Sequence, residues 1–222
     1  MRDTAVLQRF KHGYTTGART LASRSIRGLA RTRVTPNVLT TTGVSLCLAA
    51  SVVVFFENRN PWLFYWVGAV MFVAGSILDI LDGALARAGG KTTPFGAFLD
   101  STTDRIGEAA MLGAIALVFH RHDQPVALAV AFAAVAGSLL VSYTRARAEA
   151  LGLRGDVGIG SRAERVVVIT GGLVLAPISI WLLVAAISLL AATAWLTVLQ
   201  RILHVRRQLN QLGGSTNGSR ER

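Results

Sequence analysis

Residues 79–87 read DILDGALAR, and residues 95–104 read FGAFLDSTTD. Both lie in stretches otherwise apolar enough to cross a bilayer, yet between them they carry Asp79, Asp82, Asp100 and Asp104. A charged Asp near the middle of a transmembrane helix costs roughly 2.5–3.5 kcal/mol on insertion scales, so four of them demand a use. Wound as a helix at about 100° per residue from Asp79, residues Asp82, Gly83, Ala86 and Arg87 fall at about −60°, +40°, −20° and +80°. They share one face, with small or absent side chains where a bulky ligand has to pass. On the next segment Gly96, Asp100 and Asp104 follow at i, i+4 and i+8 and form a second stripe. Two such stripes facing one another bring four carboxylates to one point, where only a cation relieves their repulsion. Oxygen-only ligands select Mg²⁺ or Mn²⁺, and the lack of His or Cys in either stripe argues against zinc. The plain alternative is that these aspartates cap helix ends or pair with Arg87 and Arg105. Four in matched phase, with glycines on the same faces, disfavour it.

Working outward, the 222-residue chain is 52% apolar with a net charge of +11. This is the composition of a multi-pass membrane protein, and too little polar sequence remains for a separate soluble domain. Cys47 is the only cysteine, which excludes an intrachain disulfide. No signal peptide is expected at the basic N-terminus. Six apolar stretches, at about 36–57, 62–86, 95–119, 125–149, 163–178 and 180–204, each approach the roughly 20 residues a spanning helix needs. With the N-terminus placed inside, only Arg59 and Arg121 of the 23 basic residues fall on the outer side. The positive-inside rule therefore predicts six spans with both termini cytoplasmic. Asp79 then lies about 26 Å along a helix that starts outside near Trp62, which puts the acidic cluster toward the cytoplasmic face. The expected class is an all-α membrane protein of the inner, cytoplasmic membrane. Its basic charge serves the membrane's inner face, and no nucleic-acid partner is expected.

Three regions follow from this parse. Residues 1–34 are predicted to form a juxtamembrane arm. Leu7, Phe10, Tyr14, Leu21, Ile26 and Leu29 alternate there with Arg9, Lys11, Arg19, Arg24, Arg27, Arg31 and Arg33. The pattern suits an amphipathic helix lying on anionic membrane lipid; a flexible basic tail is the alternative, since Gly13, Gly17 and Gly28 weaken a helix. Residues 35–205 form the six-helix domain, and 206–222 a basic tail expected to be disordered. Gly68, Gly75, Gly113 and Gly137 are candidates for close helix packing within or between chains.

The run Asp79-x2-Asp82-Gly83-x2-Ala86-Arg87-x8-Gly96-x3-Asp100-x3-Asp104 matches in full the signature of the CDP-alcohol phosphatidyltransferases, which the sequence therefore resembles. That resemblance implies that a CDP-linked lipid, CDP-diacylglycerol, loses CMP while its phosphatidyl group moves to an alcohol. It implies that Asp79, Asp82 and Asp100 bind the metal, with Asp104 as a further ligand and the catalytic general base. It implies CDP contacts from Gly83, Ala86, Arg87 and Thr93, and from Asn37, Val38, Leu39 and Thr40 at the start of the first helix. For the last group, Thr35 as N-cap with Pro36 at the first helical position is also an ordinary helix start. A homodimer is implied as well. The residues suit this chemistry on their own terms. A bound cation neutralises a pyrophosphate, a nearby carboxylate takes the acceptor's proton, and Arg87 adds a fixed charge. Direct in-line transfer is the simpler route; a covalent aspartyl intermediate is the other one open to the same residues.

Residues 142–169, SYTRARAEALGLRGDVGIGSRAERVVVI, are similar to the matching stretch of bacterial phosphatidylinositol phosphate synthases within this family. The similarity implies that Arg145 and Arg165 hold the acceptor's phosphate and that Arg201 completes the pocket. Position 145 is often Lys in those enzymes, and Arg keeps the charge. Three guanidiniums near a metal site call for an anionic acceptor. Inositol phosphate is the expected one; glycerol 3-phosphate, which would make the protein a phosphatidylglycerophosphate synthase, also satisfies the charge. A cation transporter is the remaining alternative, because intramembrane carboxylates also line ion paths.

Overall fold

The structure is a computed structural model that describes residues 35–88, 90, 92–159 and 161–218. Among these, all regular structure is helical: α1 (Pro36–Phe55), a 3-10 turn (Glu57–Arg59), α2 (Pro61–Ala88), α3 (Pro94–Arg121), α4 (Pro125–Ala150), α5 (Arg162–Leu175) and α6 (Ile180–Gly218). The amphipathic arm expected over residues 1–34 lies outside the described residues.

Proline writes much of this punctuation. Of the five prolines, Pro36, Pro61, Pro94 and Pro125 each open a helix, where the missing N–H has no partner to lose. The fifth, Pro177, lies in the turn that separates α5 from α6. Thr35 takes the N-cap position of α1 in an extended conformation, but its side chain makes no capping bond. Thr93 does cap α3, its hydroxyl accepting the Gly96 N–H at 3.0 Å. Ser161 and Glu164 form a reciprocal capping box that starts α5.

α1 packs against α2 and α3, α4 against α3 and α6, and α5 against α2 and α6. Tyr65, Phe72, Met111, Leu112, Ile115, Phe119, Ile169, Leu173, Leu183, Ile187 and Leu190 fill the interior. Glycine sets the closest approach. A Cβ on Gly75 would sit 2.6 Å from Cys47 Sγ and 2.7 Å from the Gly43 carbonyl oxygen, so α1 and α2 touch backbone to backbone. Gly68 and Gly137 are tight in the same way, against Val54 and Ala194, whereas a Cβ on Gly113 meets nothing within 4 Å. At the far end from the aspartates, Glu57 is buried and accepts from Arg121 Nη1 at 3.1 Å, while Arg121 also donates to the Phe55 carbonyl at 2.8 Å.

Among the described residues, four helices are long and apolar enough to cross a bilayer: 36–55, 61–87, 125–150 and 180–211. This is a helical membrane protein, but two of the six expected spans differ from the other four. α3 has 28 residues, about 42 Å, yet residues 100–108 within it carry Asp100, Asp104, Arg105 and Glu108. α5 has only 14 residues, about 21 Å, because Ala176–Ile178 turn before the expected end at 178. α6 instead runs past its expected end at 204 to Gly218, into the tail expected to be disordered. Residues 201–212 hold no Gly or Pro to stop it, and Gly213 is the first breaker.

Replacing Gly75 by Ala forces a methyl group into the backbone of α1 and is expected to destabilise the fold by about 1–3 kcal/mol. Gly113→Ala, with open space around it, is neutral or mildly stabilising through helix propensity. Thermal unfolding of the two purified variants in detergent checks this, and equal melting temperatures would contradict the packing described.

Candidate active site

The site is built where the first turns of α1 and α3 meet the last turns of α2. Asp79 and Asp82, one turn apart on α2, are both buried, and Asp82 is only 2% exposed. Asp100 comes to them from the first turns of α3, half-buried. One carboxylate oxygen from each of the three lies within 4.8 Å of the others. Three full charges at that spacing repel by at least roughly 3.5 kcal/mol per pair at an effective dielectric constant of about 20. The surroundings reduce that repulsion only partly. The Thr40 hydroxyl donates to Asp82 Oδ2, whereas Asp82 Oδ1 is buried with no hydrogen-bond partner. An orphaned acceptor in an all-oxygen cluster fits a hard divalent cation, and the site can hold one.

A cleft of about 120 Å³ opens beside this trio, lined by Pro36, Asn37, Thr40, Asp82, Gly83, Ala86, Arg87, Thr92, Thr93, Gly96, Ala97 and Asp100. Gly83 is bare for a reason visible in the geometry. A Cβ there would stand 3.3 Å from Arg87 Nη1, so the guanidinium lies across the space that glycine leaves. Gly96 likewise lets Thr93 Oγ1 and Asn37 Oδ1 approach the N-terminus of α3. Of the four residues expected from α1, Asn37 and Thr40 line the cleft. Val38 is 53% exposed on another face, and Leu39 is buried at 8%; neither lines it. Helical phase separates the pairs, since i and i+3 share a face and i+1 does not.

Asp104 departs from the expected convergence of four carboxylates. It is not part of the trio; its Oδ1 pairs with Arg162 Nη2, and Arg162 Nη1 also donates to Asp79 Oδ2. Arg162 is the residue that sequence reasoning passed over. It counted there only as inner-side charge, and the signal for it is weak: a Ser-x-x-Glu capping box, Ser161 to Glu164, that fixes where α5 begins. Glu108 was also missed, although one more i+4 step along the stripe Gly96, Asp100, Asp104 reaches it.

The three arginines expected to hold the acceptor occupy different settings. Arg165 is buried and paired in bidentate fashion with Glu108, Nε to Oε1 at 2.7 Å and Nη2 to Oε2 at 3.0 Å. Arg201 is buried on α6 and donates to the carbonyls of Val141 and, at 2.9 Å, Val157. Arg145 is exposed, with Nε 2.9 Å from Glu149 Oε1 one turn along α4. The loop between α4 and α5 is strapped to α6 through Val157, through Ile159 and Thr197, and through Arg154 and Gln208. Those bonds hold the first turn of α5 over the acidic stripe.

This arrangement has known counterparts. Residues 33–205 match the family described as CDP-alcohol phosphatidyltransferase. An archaetidylinositol phosphate synthase of Pyrococcus horikoshii is 37% identical over 183 residues, spanning 82% of this chain and 88% of that one. The crystal structure of Mycobacterium tuberculosis phosphatidylinositol phosphate synthase with CDP-DAG bound superposes with a TM-score of 0.73 at 33% identity, covering 84% of this chain and 94% of that one. The same enzyme in complex with manganese and citrate gives a TM-score of 0.73 at 33% identity, covering 83% and 88%. With the family match spanning more than three quarters of the sequence, the chain belongs to the CDP-alcohol phosphatidyltransferase family.

Proposed function

We propose that the protein transfers the phosphatidyl group of CDP-diacylglycerol to a hydroxyl of inositol phosphate, releasing CMP and forming phosphatidylinositol phosphate. The observation that carries this reading is the trio Asp79, Asp82 and Asp100 at the wall of a cleft that also holds Arg87. Both relatives' names specify an inositol phosphate headgroup, and the mycobacterial one is a structure with CDP-DAG bound.

Asp79, Asp82 and Asp100, with Asp104 as a further ligand, are the residues that would hold Mg²⁺ or Mn²⁺. When bound, the ion supplies charge neutralisation at the pyrophosphate and at the departing CMP. Arg87 reaches across Gly83 to add fixed positive charge beside the phosphate to be transferred. Asn37, Thr40 and Thr93 present polar groups along the cleft where the cytidine part of the donor fits. In the transfer the acceptor hydroxyl oxygen bonds to phosphorus, the bond from phosphorus to the CMP oxygen breaks, and the hydroxyl proton passes to Asp104. Arg145, Arg165 and Arg201 hold the acceptor's own phosphate. Arg145 is the easiest to recruit, since an exposed i,i+4 pair such as that with Glu149 is worth only about 0.3–0.5 kcal/mol.

The same reading takes the six helices as six spans, with both termini and the site at the cytoplasmic side of the cell membrane, and a homodimer as the assembled form. Outward-facing Phe98, Ile106 and Leu117 on α3 and Val167 and Leu175 on α5 support a lipid-facing surface on the two atypical helices. Cysteines placed singly at 59 and 154, in a Cys47→Ala background, test the orientation. Residue 154 should label only from the cytoplasmic side and residue 59 only from the other, and the reverse pattern contradicts it.

Acceptor choice is tested by offering purified enzyme CDP-diacylglycerol, Mg²⁺ and either inositol phosphate or glycerol 3-phosphate, with CMP release as the signal. Inositol phosphate is expected to give the higher kcat/KM, and Arg145→Ala to raise its KM about tenfold, the factor for about 1.4 kcal/mol, with little loss of stability. A preference for glycerol 3-phosphate overturns the assignment and makes the protein a phosphatidylglycerophosphate synthase.

A further inference from the structure

We propose that Arg162 is a displaceable counter-cation of the carboxylate cluster, holding Asp79 and Asp104 in the metal-free protein and giving them up when a divalent ion loads. The inference rests on the metal-binding reading above and adds a residue that no part of that reading uses.

The geometry is that of two cations sharing one ligand. Asp79 belongs to the trio with Asp82 and Asp100, and its Oδ2 also accepts from Arg162 Nη1. The other arm of the same guanidinium takes Asp104 Oδ1, so a single fork bridges α2 and α3. Arginine's planar fork suits such a bridge, because its separate N–H groups can face two carboxylates at once. An ion that uses Asp79 Oδ2 or Asp104 has to compete with it.

The neighbouring arginine shows why Arg162 is the one that moves. Arg165, one turn along α5, has a side chain only 10% exposed and is gripped by both oxygens of Glu108. Arg162 stands at the first position of α5 and its side chain is 30% exposed, three times the exposure of Arg165. The first helical turn thus has a fixed anchor and a releasable one. Arg162 gives Asp79 and Asp104 a shared positive partner, beside the Arg105 guanidinium 3.9 Å from Asp104. It also ties metal loading to the turn that carries Arg165.

The test is Mn²⁺ binding to purified full-length protein, read by the electron paramagnetic resonance of free Mn²⁺, for the wild type, Arg162→Ala and Arg162→Lys. Removing a competitor should tighten Mn²⁺ binding about tenfold in Arg162→Ala, the factor given by about 1.4 kcal/mol of lost competition. The same variant should melt at a lower temperature without metal. Arg162→Lys, a single point charge, should fall between the two. A merely structural ion pair would lower stability and leave Mn²⁺ affinity unchanged or weaker. That result in Arg162→Ala overturns the proposal, and in Arg162→Lys it does so where the alanine variant does not fold. If neither wild type nor variants bind Mn²⁺, the metal reading itself falls; if the wild type binds and no variant binds more tightly, only the role of Arg162 falls.

Discussion

Mutual repulsion among closely held carboxylates is the constraint around which this structure is organised. Asp79, Asp82 and Asp100 lie within 4.8 Å of one another, and the summed repulsion of three full charges approaches the whole net stability of a typical domain. Helices α2 and α3 would separate if nothing opposed it. Several features hold them. Gly43 and Gly75 let α1 and α2 touch through their backbones, Thr40 on α1 donates to Asp82, and Arg162 on α5 bridges Asp79 and Asp104. Arg121 ties α3 to the end of α1 at the opposite end, through the Phe55 carbonyl and through Glu57 in the turn that follows. Positive charge reaches the site from α2 through Arg87, from α3 through Arg105 beside Asp104, and from a third direction through Arg162 on α5.

The helical phase of the two acidic stripes was readable because it is a local property. A residue's direction on a helix follows from its position, so Asp79, Asp82, Gly83, Ala86 and Arg87 could be assigned to one face and Gly96 and Asp100 to another. The same arithmetic separates Asn37 and Thr40, which line the cleft, from Val38 and Leu39, which do not. The motif alone carried all four as one group. What sequence could not supply was the partner from a distant helix. Asp104 has the right phase to join the trio, but its neighbour is decided by how the loop 151–159 folds on α6 and where α5 starts.

Helix lengths were legible only in part, for a related reason. Hydropathy finds apolar runs but does not mark where a chain turns inside one. Ala176, Pro177 and Ile178 are apolar enough to extend α5 on paper, yet they form its turn. The residues after 204 are polar enough to read as a tail, yet helix-favouring residues carry α6 onward. The difference bears on function, because the extension of α6 beyond Arg201 includes Gln208, which straps the loop that sets Arg162 and Arg165 over the acidic stripe.

The central claim is that Asp79, Asp82 and Asp100 form the cradle of a divalent ion. Anomalous diffraction from crystals of the full-length protein grown with Mn²⁺ tests it most directly. A peak bonded to oxygens of all three aspartates, at the roughly 2.1–2.2 Å of hard oxygen ligation, is the expected result. Well-ordered crystals with no manganese density between α2 and α3, or with the ion held by other residues, would contradict it.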